Sequence, residues 1–582
     1  MDRTTKGTDN VRRTLTLARV FGVTALTWSV ASAAVADTLR WGGMIDPPQL
    51  DAAFVVFSID TDLNQATIAS LPWNLPATPL DHNTEFWTGN IGGQKISVMG
   101  AGEAGKPFTV EMMKIGLLGA ANGTLQWMPP LREIEGVRAF AGFLDLPGME
   151  LDITIRLAQV DGALQAEIDI PLLLIDGMPV RVIASEGDRH TLVLDAPTPA
   201  ELIVAEAPDG LTGTFTQASV KLDVDLRPTS PESTMKRPQM PKPPFPYAVN
   251  DIRVRHPEGH TLAGTLTIPE GDGPHPAVVL ISGSGAQDRD ETLFGHKPFW
   301  VLADHLSRNG IAVLRYDDRG VGESHPGNAV LSDDTSIDYA SDVELLVDHL
   351  RIRDDIDPMR IGLMGHSEGG LIAPIVAAKR QDAVHFIVLL SGPGVPGRDV
   401  LLAQIEVLLL AAGEPKELVA EVTARQREVL EAVMADAPEA ELRPLIKSLI
   451  EAQMALAPET KDVPVDDASV DGAVAMITCA WMRAFVEIDP ADHLRLVQCP
   501  VLALNGTLDL QVPIDQNLPA IERVLRDAGG DVTVHRLEGL NHLFQPATKG
   551  TVDEYPRIET TFDGATMVLI TDWIRTKTGL SQ

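Results

Sequence analysis

The chain has 582 residues, too many for one ordinary hydrophobic core, so two or more domains are expected. A composition of 44% hydrophobic and 22% charged residues describes a globular chain and excludes an intrinsically disordered one. Lys and Arg number 47 against 81 Asp and Glu, and a net charge of −34 repels polyanions, so neither nucleic acid nor anionic lipid is an expected partner.

Residues 1–36 read as an export signal. Arg12, Arg13 and Arg19 supply positive charge ahead of the apolar stretch Val20–Val30, and Ala34-Val35-Ala36 offers small residues for cleavage before Asp37. Arg12-Arg13 matches the twin-arginine route only loosely. The apolar run is too short for a stable membrane anchor, and no cysteine follows it for lipid attachment. A periplasmic or secreted location is therefore expected.

Residues 37–228 form a β-rich region. Leu151, Ile153, Ile155 and Leu157 alternate with polar residues, Asp161-Gly162 offers a turn, and Leu164, Ala166, Ile168 and Ile170 alternate again, which predicts a hairpin with one buried face. Val220, Leu222, Val224 and Leu226 repeat the period of two. No internal repeat and no chemical constellation is evident, so the region reads as a structural or substrate-shaping accessory domain.

Residues 229–248 contain Pro231, Pro238, Pro241, Pro243, Pro244 and Pro246 just after Pro228, and such density makes a semi-stiff linker. From 249 to 582 the pattern changes. Strand-like stretches at 251–256, 261–268, 277–282, 311–316, 360–364, 385–391, 500–505 and 532–537 alternate, after the first two, with helical patterns at 298–309, 339–353, 369–380 and, last, about 557–576. That predicts an α/β domain whose eight-stranded sheet is mostly parallel with helices on both faces. The first two strands lie too close together for a crossover helix and should pair as an antiparallel hairpin. Residues 398–490 interrupt the alternation with helix-forming segments, expected to be a cap over a site at the strand ends; Leu408-Leu409-Leu410 reads as core of that cap. Cys479 and Cys499 could pair in an oxidising compartment.

The chemistry gathers around Gly365-His366-Ser367-Glu368-Gly369, where an apolar strand pattern leads through Gly-x-Ser-x-Gly into a small-residue helix. A serine on so tight a turn projects its hydroxyl above the sheet, and the helix N-terminus behind it favours developing negative charge. Such a nucleophile needs a base and a group that orients the base. Asp509 and His542 stand in loops after the strand-like stretches at 500–505 and 532–537, where ligands collect in parallel sheets. His535 is the nearest rival, but it falls inside its strand. The expected oxyanion donors are the backbone amides of Glu368 and of Ser284, in the glycine-rich loop Ser282-Gly283-Ser284-Gly285. Asp317-Asp318-Arg319-Gly320-Val321-Gly322-Glu323-Ser324 reads as an internally paired turn in preference to a binding loop.

Gly283–Asp290, Tyr316–Ser324, the Ser367 elbow and Asn505–Pro513 together resemble the α/β-hydrolase-fold carboxylesterases, the two-domain bacterial kind related to serine-aminopeptidase-like hydrolases. The resemblance covers the chain from about residue 250, and more weakly the β-rich region. It implies a small-molecule acyl ester as substrate, Ser367, Asp509 and His542 as the catalytic triad, and no metal or organic cofactor. A peptidase or amidase, a thioesterase, or a non-catalytic binding protein on the same fold are the alternatives. Acyl specificity and oligomeric state are not legible.

Overall fold

A computed structural model describes strand segments between residues 38 and 127, then residues 131–580 apart from short stretches at 147–148, 174, 195–199, 218–219, 233–235, 327–333 and 457–463. The expected export signal lies outside the described residues. The chain divides into two units that meet between Lys236 and Arg237, inside the proline-dense stretch.

The first unit contains two closed antiparallel barrels of eight strands each, one spanning Thr38 to Trp127 and the next Arg138 to Thr229. The expected hairpin is there: Leu157 pairs with Ala166 and Val160 with Ala163, and Asp161 and Gly162 turn the chain at φ of 52° and 81°. Its alternating residues Leu151, Ile153, Ile155, Ala166, Ile168 and Ile170 fill the second barrel's core. The reading that no repeat exists needs correction at the level of architecture. In the first barrel Ala66 pairs with Leu80, Thr67 with Pro79 and Ile68 with Thr78, before the register slips to Ser70 opposite Leu75. The second barrel has the same slip one hundred positions on, with Ala166 opposite Val180, Glu167 opposite Pro179, Ile168 opposite Met178 and Ile170 opposite Ile175. A strand pair requires only alternation, so residue identities drift while pairing persists.

The second unit holds one eight-stranded sheet. Its strands are β1 (Tyr247–Arg255), β2 (Thr261–Pro269), β3 (His275–Ile281), β4 (Ala312–Tyr316), β5 (Ile356–His366), β6 (Phe386–Leu390), β7 (Val501–Gly506) and β8 (Val532–Leu537), in the spatial order β1-β2-β4-β3-β5-β6-β7-β8. Only β2 runs antiparallel to its neighbours, β1 and β4. The central strands are apolar on both faces because helices cover both. Helices α1 (Pro298–Arg308), α2 (Ser336–Arg351) and α3 (Gly369–Lys379) follow β3, β4 and β5. Phe299, Leu302 and Leu306 of α1 pack with Val278, Leu280 and Val313 on one face, and Val343, Leu346 and Val347 of α2 pack with Ala277, Val279 and Leu363 on the other.

Among the described residues, six helices intervene between β6 and β7: α4 (Gly397–Ala411), α5 (Lys416–Met434), α6 (Glu439–Met454), α7 (Asp467–Thr478), α8 (Ala480–Glu487) and α9 (Pro490–Leu494). After β7 and β8 come α10 (Ile514–Asp527) and α11 (Gly564–Thr578). The Leu408–Leu410 run is less buried than its composition suggests, since Leu408 and Leu409 are half-covered and Leu410 is exposed at the end of α4. Cys479 and Cys499 are both free thiols, and burial pushes the Cys499 thiol up to about 12. Among the described residues, no single helix is long and apolar enough to cross a membrane.

Candidate active site

Ser367 sits at the C-terminal end of β5 with φ of +53°, a left-handed conformation rare for a residue with a side chain. The two glycines of the motif make this turn possible. A Cβ on Gly365 would lie 1.9 Å from the carbonyl oxygen of Gly369, and one on Gly369 would lie 2.2 Å from that of Ile281. The strain is anchored by a hydrogen bond from the Ser367 amide to the Leu390 carbonyl at 2.9 Å and by the first turn of α3, which the Gly370 amide closes on the Ser367 carbonyl at 2.8 Å.

Asp509 lies in the loop after β7, buried, with one carboxylate oxygen accepting the amides of Gln511 and Val512 at 2.9 Å each. Its other oxygen meets Nδ1 of His542 at 2.9 Å. The His542 loop is shaped by Asn541, whose side-chain oxygen accepts the amides of Leu543 and Gln545 and whose amide group donates to Gln545 Oε1. The rival His535 is exposed on β8, paired in register with Leu504. Thus the structure joins Asp509 to His542. It brings the His542 loop to the elbow through His366, whose Nε2 donates to the His542 carbonyl at 2.9 Å. The Ser367 hydroxyl itself makes no hydrogen bond among the described residues; such contacts are commonly long before substrate binds.

The Ser284 loop reaches the elbow closely enough that a Cβ on Gly283 would lie 3.1 Å from Cβ of Ser367. Gln287 holds the loop, donating its side-chain amide to the Ser284 carbonyl at 3.1 Å and its backbone amide to Asp318 at 3.0 Å. The Gly283 amide is occupied by Oε1 of Glu291 at 2.7 Å, whereas the amides of Ser284 and Glu368 bond to no other group among the described residues. The 317–324 loop is a structural turn, as expected, but its charged side chains pair mostly with residues outside the loop. Asp317 receives Arg289 and the Glu323 amide, while Arg319 is bound to Asp342 through Nε at 2.8 Å and Nη2 at 2.9 Å.

Three residues around the elbow escaped the sequence reading. The Glu368 side chain is buried and accepts the Ser336 hydroxyl at 2.6 Å and the Trp481 indole N–H at 2.8 Å, with Ser284 as a further hydrogen-bonding side chain; burial raises its pKa against those bonds. His366 and Glu291 meet at 2.9 Å beneath the turn. The signals existed, since His366 is the first variable position of the elbow motif and Glu291 directly follows Asp288-Arg289-Asp290. Among the described residues, His256, Glu258 and His260 are close enough to share a metal. There Arg319 stands 3.8 Å from Glu258 and Asp342 binds His260 Nε2 at 2.7 Å, which suits an ion-pair network better than a cation.

A family model described as serine aminopeptidase, S33, matches residues 299–545. Esterase EstD of Thermotoga maritima is 30% identical over 231 residues, which is 39% of this chain and 50% of that protein. A protein of Pseudomonas syringae named putative carbamate hydrolase RutD is 34% identical over 116 residues, 20% of this chain and 38% of its own length. The chain therefore spans half, or less, of the curated relatives it matches. Among solved structures, a Pyrococcus furiosus esterase aligns with a TM-score of 0.35 at 13% identity, over 59% of this chain and 98% of that one.

Proposed function

From the premise that the second unit is an esterase-like α/β-hydrolase related to the serine aminopeptidases, we propose that this protein hydrolyses small-molecule carboxylic esters through an acyl-enzyme on Ser367. The observation that supports the reading is the strained Ser367 at φ +53°, wedged between two glycines whose Cβ atoms would clash, on a turn that His366 ties to the loop carrying the His542–Asp509 pair. Nε2 of His542 takes the proton as Ser367 Oγ attacks the ester carbonyl, and the same proton passes to the departing alcohol. The amides of Ser284 and Glu368 receive the oxyanion, with the N-terminus of α3 behind them. Water, deprotonated in turn by His542, releases the acid and restores the serine. Asp509 keeps Nδ1 protonated and stabilises the imidazolium.

The ester assignment draws on the similarity to Esterase EstD. An amide or carbamate substrate is the second reading, prompted by the serine aminopeptidase model and the carbamate hydrolase. Export belongs to the proposal too: residues 1–36 act as a cleaved signal, and the mature chain begins at Asp37. A fluorophosphonate probe should label the wild type and not Ser367→Ala, and a panel of chromogenic esters beside aminoacyl amides and carbamates should show the esters turned over fastest. Equal labelling of both forms ends the nucleophile assignment; faster turnover of amides or carbamates transfers it to the second reading.

A further inference from the structure

Beneath the nucleophile turn, His366 presents both ring nitrogens to acceptors. Nδ1 lies 2.9 Å from Oε1 of Glu291 and Nε2 lies 2.9 Å from the carbonyl oxygen of His542. A neutral imidazole carries one N–H and cannot satisfy two acceptors. The same Glu291 oxygen also accepts the Gly283 amide at 2.7 Å. Both side chains are buried, at 6% and 2% exposure. Glu291 is held at φ of +51°, a strained conformation that persists only where the surroundings impose it.

The rest of the enclosure is apolar: Pro298 and Phe299 from α1, Leu390 from β6, and Leu543, Phe544 and Phe562. The titratable groups facing the His366 ring are Glu291, the His542 ring at a centroid distance of 4.7 Å, and Asp509 beyond it. In so apolar and buried an enclosure a lone charge is costly, so each charged group requires its partner. Burial works against a charged His366, yet the Glu291 carboxylate, the His542 carbonyl and Asp509 outweigh it and leave the ring's pKa raised.

We propose that His366 is a positioning residue held as an imidazolium by Glu291, an internal ion pair that ties the oxyanion loop, the nucleophile turn and the His542 loop together. This rests on reading Ser367 and His542 as nucleophile and base. The pair is neutral as a whole, so it does not compete with Asp509 for the charge that develops on His542. Its extra proton is what fills the second hydrogen bond. When that proton leaves at alkaline pH, one ring nitrogen turns a lone pair toward an acceptor oxygen, and the contact to Glu291 or to the His542 carbonyl is lost. The base loop then loosens, adding an alkaline limb to the activity profile that the triad does not itself produce.

Glu291→Gln tests this in the full-length chain, because the amide keeps the shape and an acceptor for Gly283 but no longer holds the additional proton. With histidine labelled by 15N, the His366 signals, assigned by their loss in His366→Gln, should report two protonated ring nitrogens in the wild type at pH 7.5. In Glu291→Gln the ring should carry a single proton at pH 7.5, because burial disfavours the imidazolium once the carboxylate is gone. The alkaline limb of kcat/KM on a chromogenic ester should then move to lower pH by at least one unit. A singly protonated His366 in the wild type at pH 7.5 overturns the proposal, as does a variant with unchanged spectrum and profile. Should Glu291→Gln fail to fold, the wild-type spectrum alone decides. Absent ester turnover with a doubly protonated His366 would fault the esterase reading and leave the ion pair standing.

Discussion

The indole N–H of Trp481 donates to Oε1 of Glu368 at 2.8 Å, joining helix α8 of the inserted segment to the residue beside Ser367. The insertion therefore meets the site through a specific bond to a buried carboxyl. Trp481 also stacks on Phe485 of the same helix, with ring centroids 5.4 Å apart. Trp481→Phe keeps the stacking and removes the donor, at an expected stability cost of about 1–3 kcal/mol because a buried acceptor loses a partner. Since the α8 contact links the insertion to the Ser367 turn, the variant should also shift acyl-length preference several-fold, as a change of about 1 kcal/mol per methylene implies. Leu164→Ala in the barrel hairpin should not. Graded chromogenic esters and thermal denaturation check both; an unmoved preference in Trp481→Phe together with a moved one in Leu164→Ala would assign selectivity to the barrels.

The same carboxyl sets a pH dependence. Burial raises the Glu368 pKa above its ordinary value, so over the interval between the two the folded chain binds more protons than the unfolded one. Stability from this group is present below the unfolded carboxylate pKa and is lost as pH rises toward the folded value. Glu368→Gln removes the titration, so its stability should fall less steeply from pH 4.5 upward than that of the wild type, by at most about 1.4 kcal/mol per pH unit. Urea midpoints at a series of pH values measure the two slopes, and parallel slopes would mean that Glu368 is ionised without cost.

Much of this was legible because it is local. The strands β1 to β8 announce themselves as apolar runs, and the Asp161-Gly162 turn as a dipeptide suited to two positive φ values. The placement of Asp509 and His542 after β7 and β8 followed from where parallel sheets put their loops. What escaped was long-range. Barrel closure is a pairing of Trp41 with Trp127 in one case and of Arg227 with Ala141 in the other, which alternation within a strand does not encode. The Glu291–His366 contact spans 75 positions and the Trp481–Glu368 contact 113. Helices α7 and α8 were foreseen only as part of an insertion, without bounds, and α9 lies at and beyond its expected end at residue 490.

The second barrel has its own vulnerable point. Arg156 and Asp169 are fully buried neighbours on adjacent strands, bonded twice, at 2.7 and 2.5 Å. Arg156 also donates to the Pro231 and Glu232 carbonyls, so its guanidinium pins the chain as it leaves the barrel. Asp169→Ala strands a buried cation and should cost about 3–5 kcal/mol. The loss should be read as faster hydrogen exchange in peptides covering 154–157 and 166–170. Unchanged protection there would mean that Glu167, 3.9 Å from Arg156, suffices as counter-charge.

The sharpest test of the proposed triad lies in how Asp509 is held. Its Oδ1 accepts two backbone amides, from Gln511 and Val512, and its Oδ2 faces Nδ1 of His542. In Asp509→Asn those two donors require the side-chain carbonyl at the Oδ1 position, which places the NH2 group against the histidine. His542 Nδ1 must then accept, and the ring's single proton moves to Nε2, the atom that should take the proton from Ser367. The base is thereby held in its inactive tautomer while every neighbouring contact survives. The expected outcome is a fall in kcat of about 10⁴-fold, as for the equivalent change in other serine hydrolases, with fluorophosphonate labelling of Ser367 slowed in parallel. The urea midpoint should change little, because the hydrogen bonds around the loop are kept. Should turnover instead stay within a few-fold of the wild type, Asp509 is a structural member of its loop and another group orients His542.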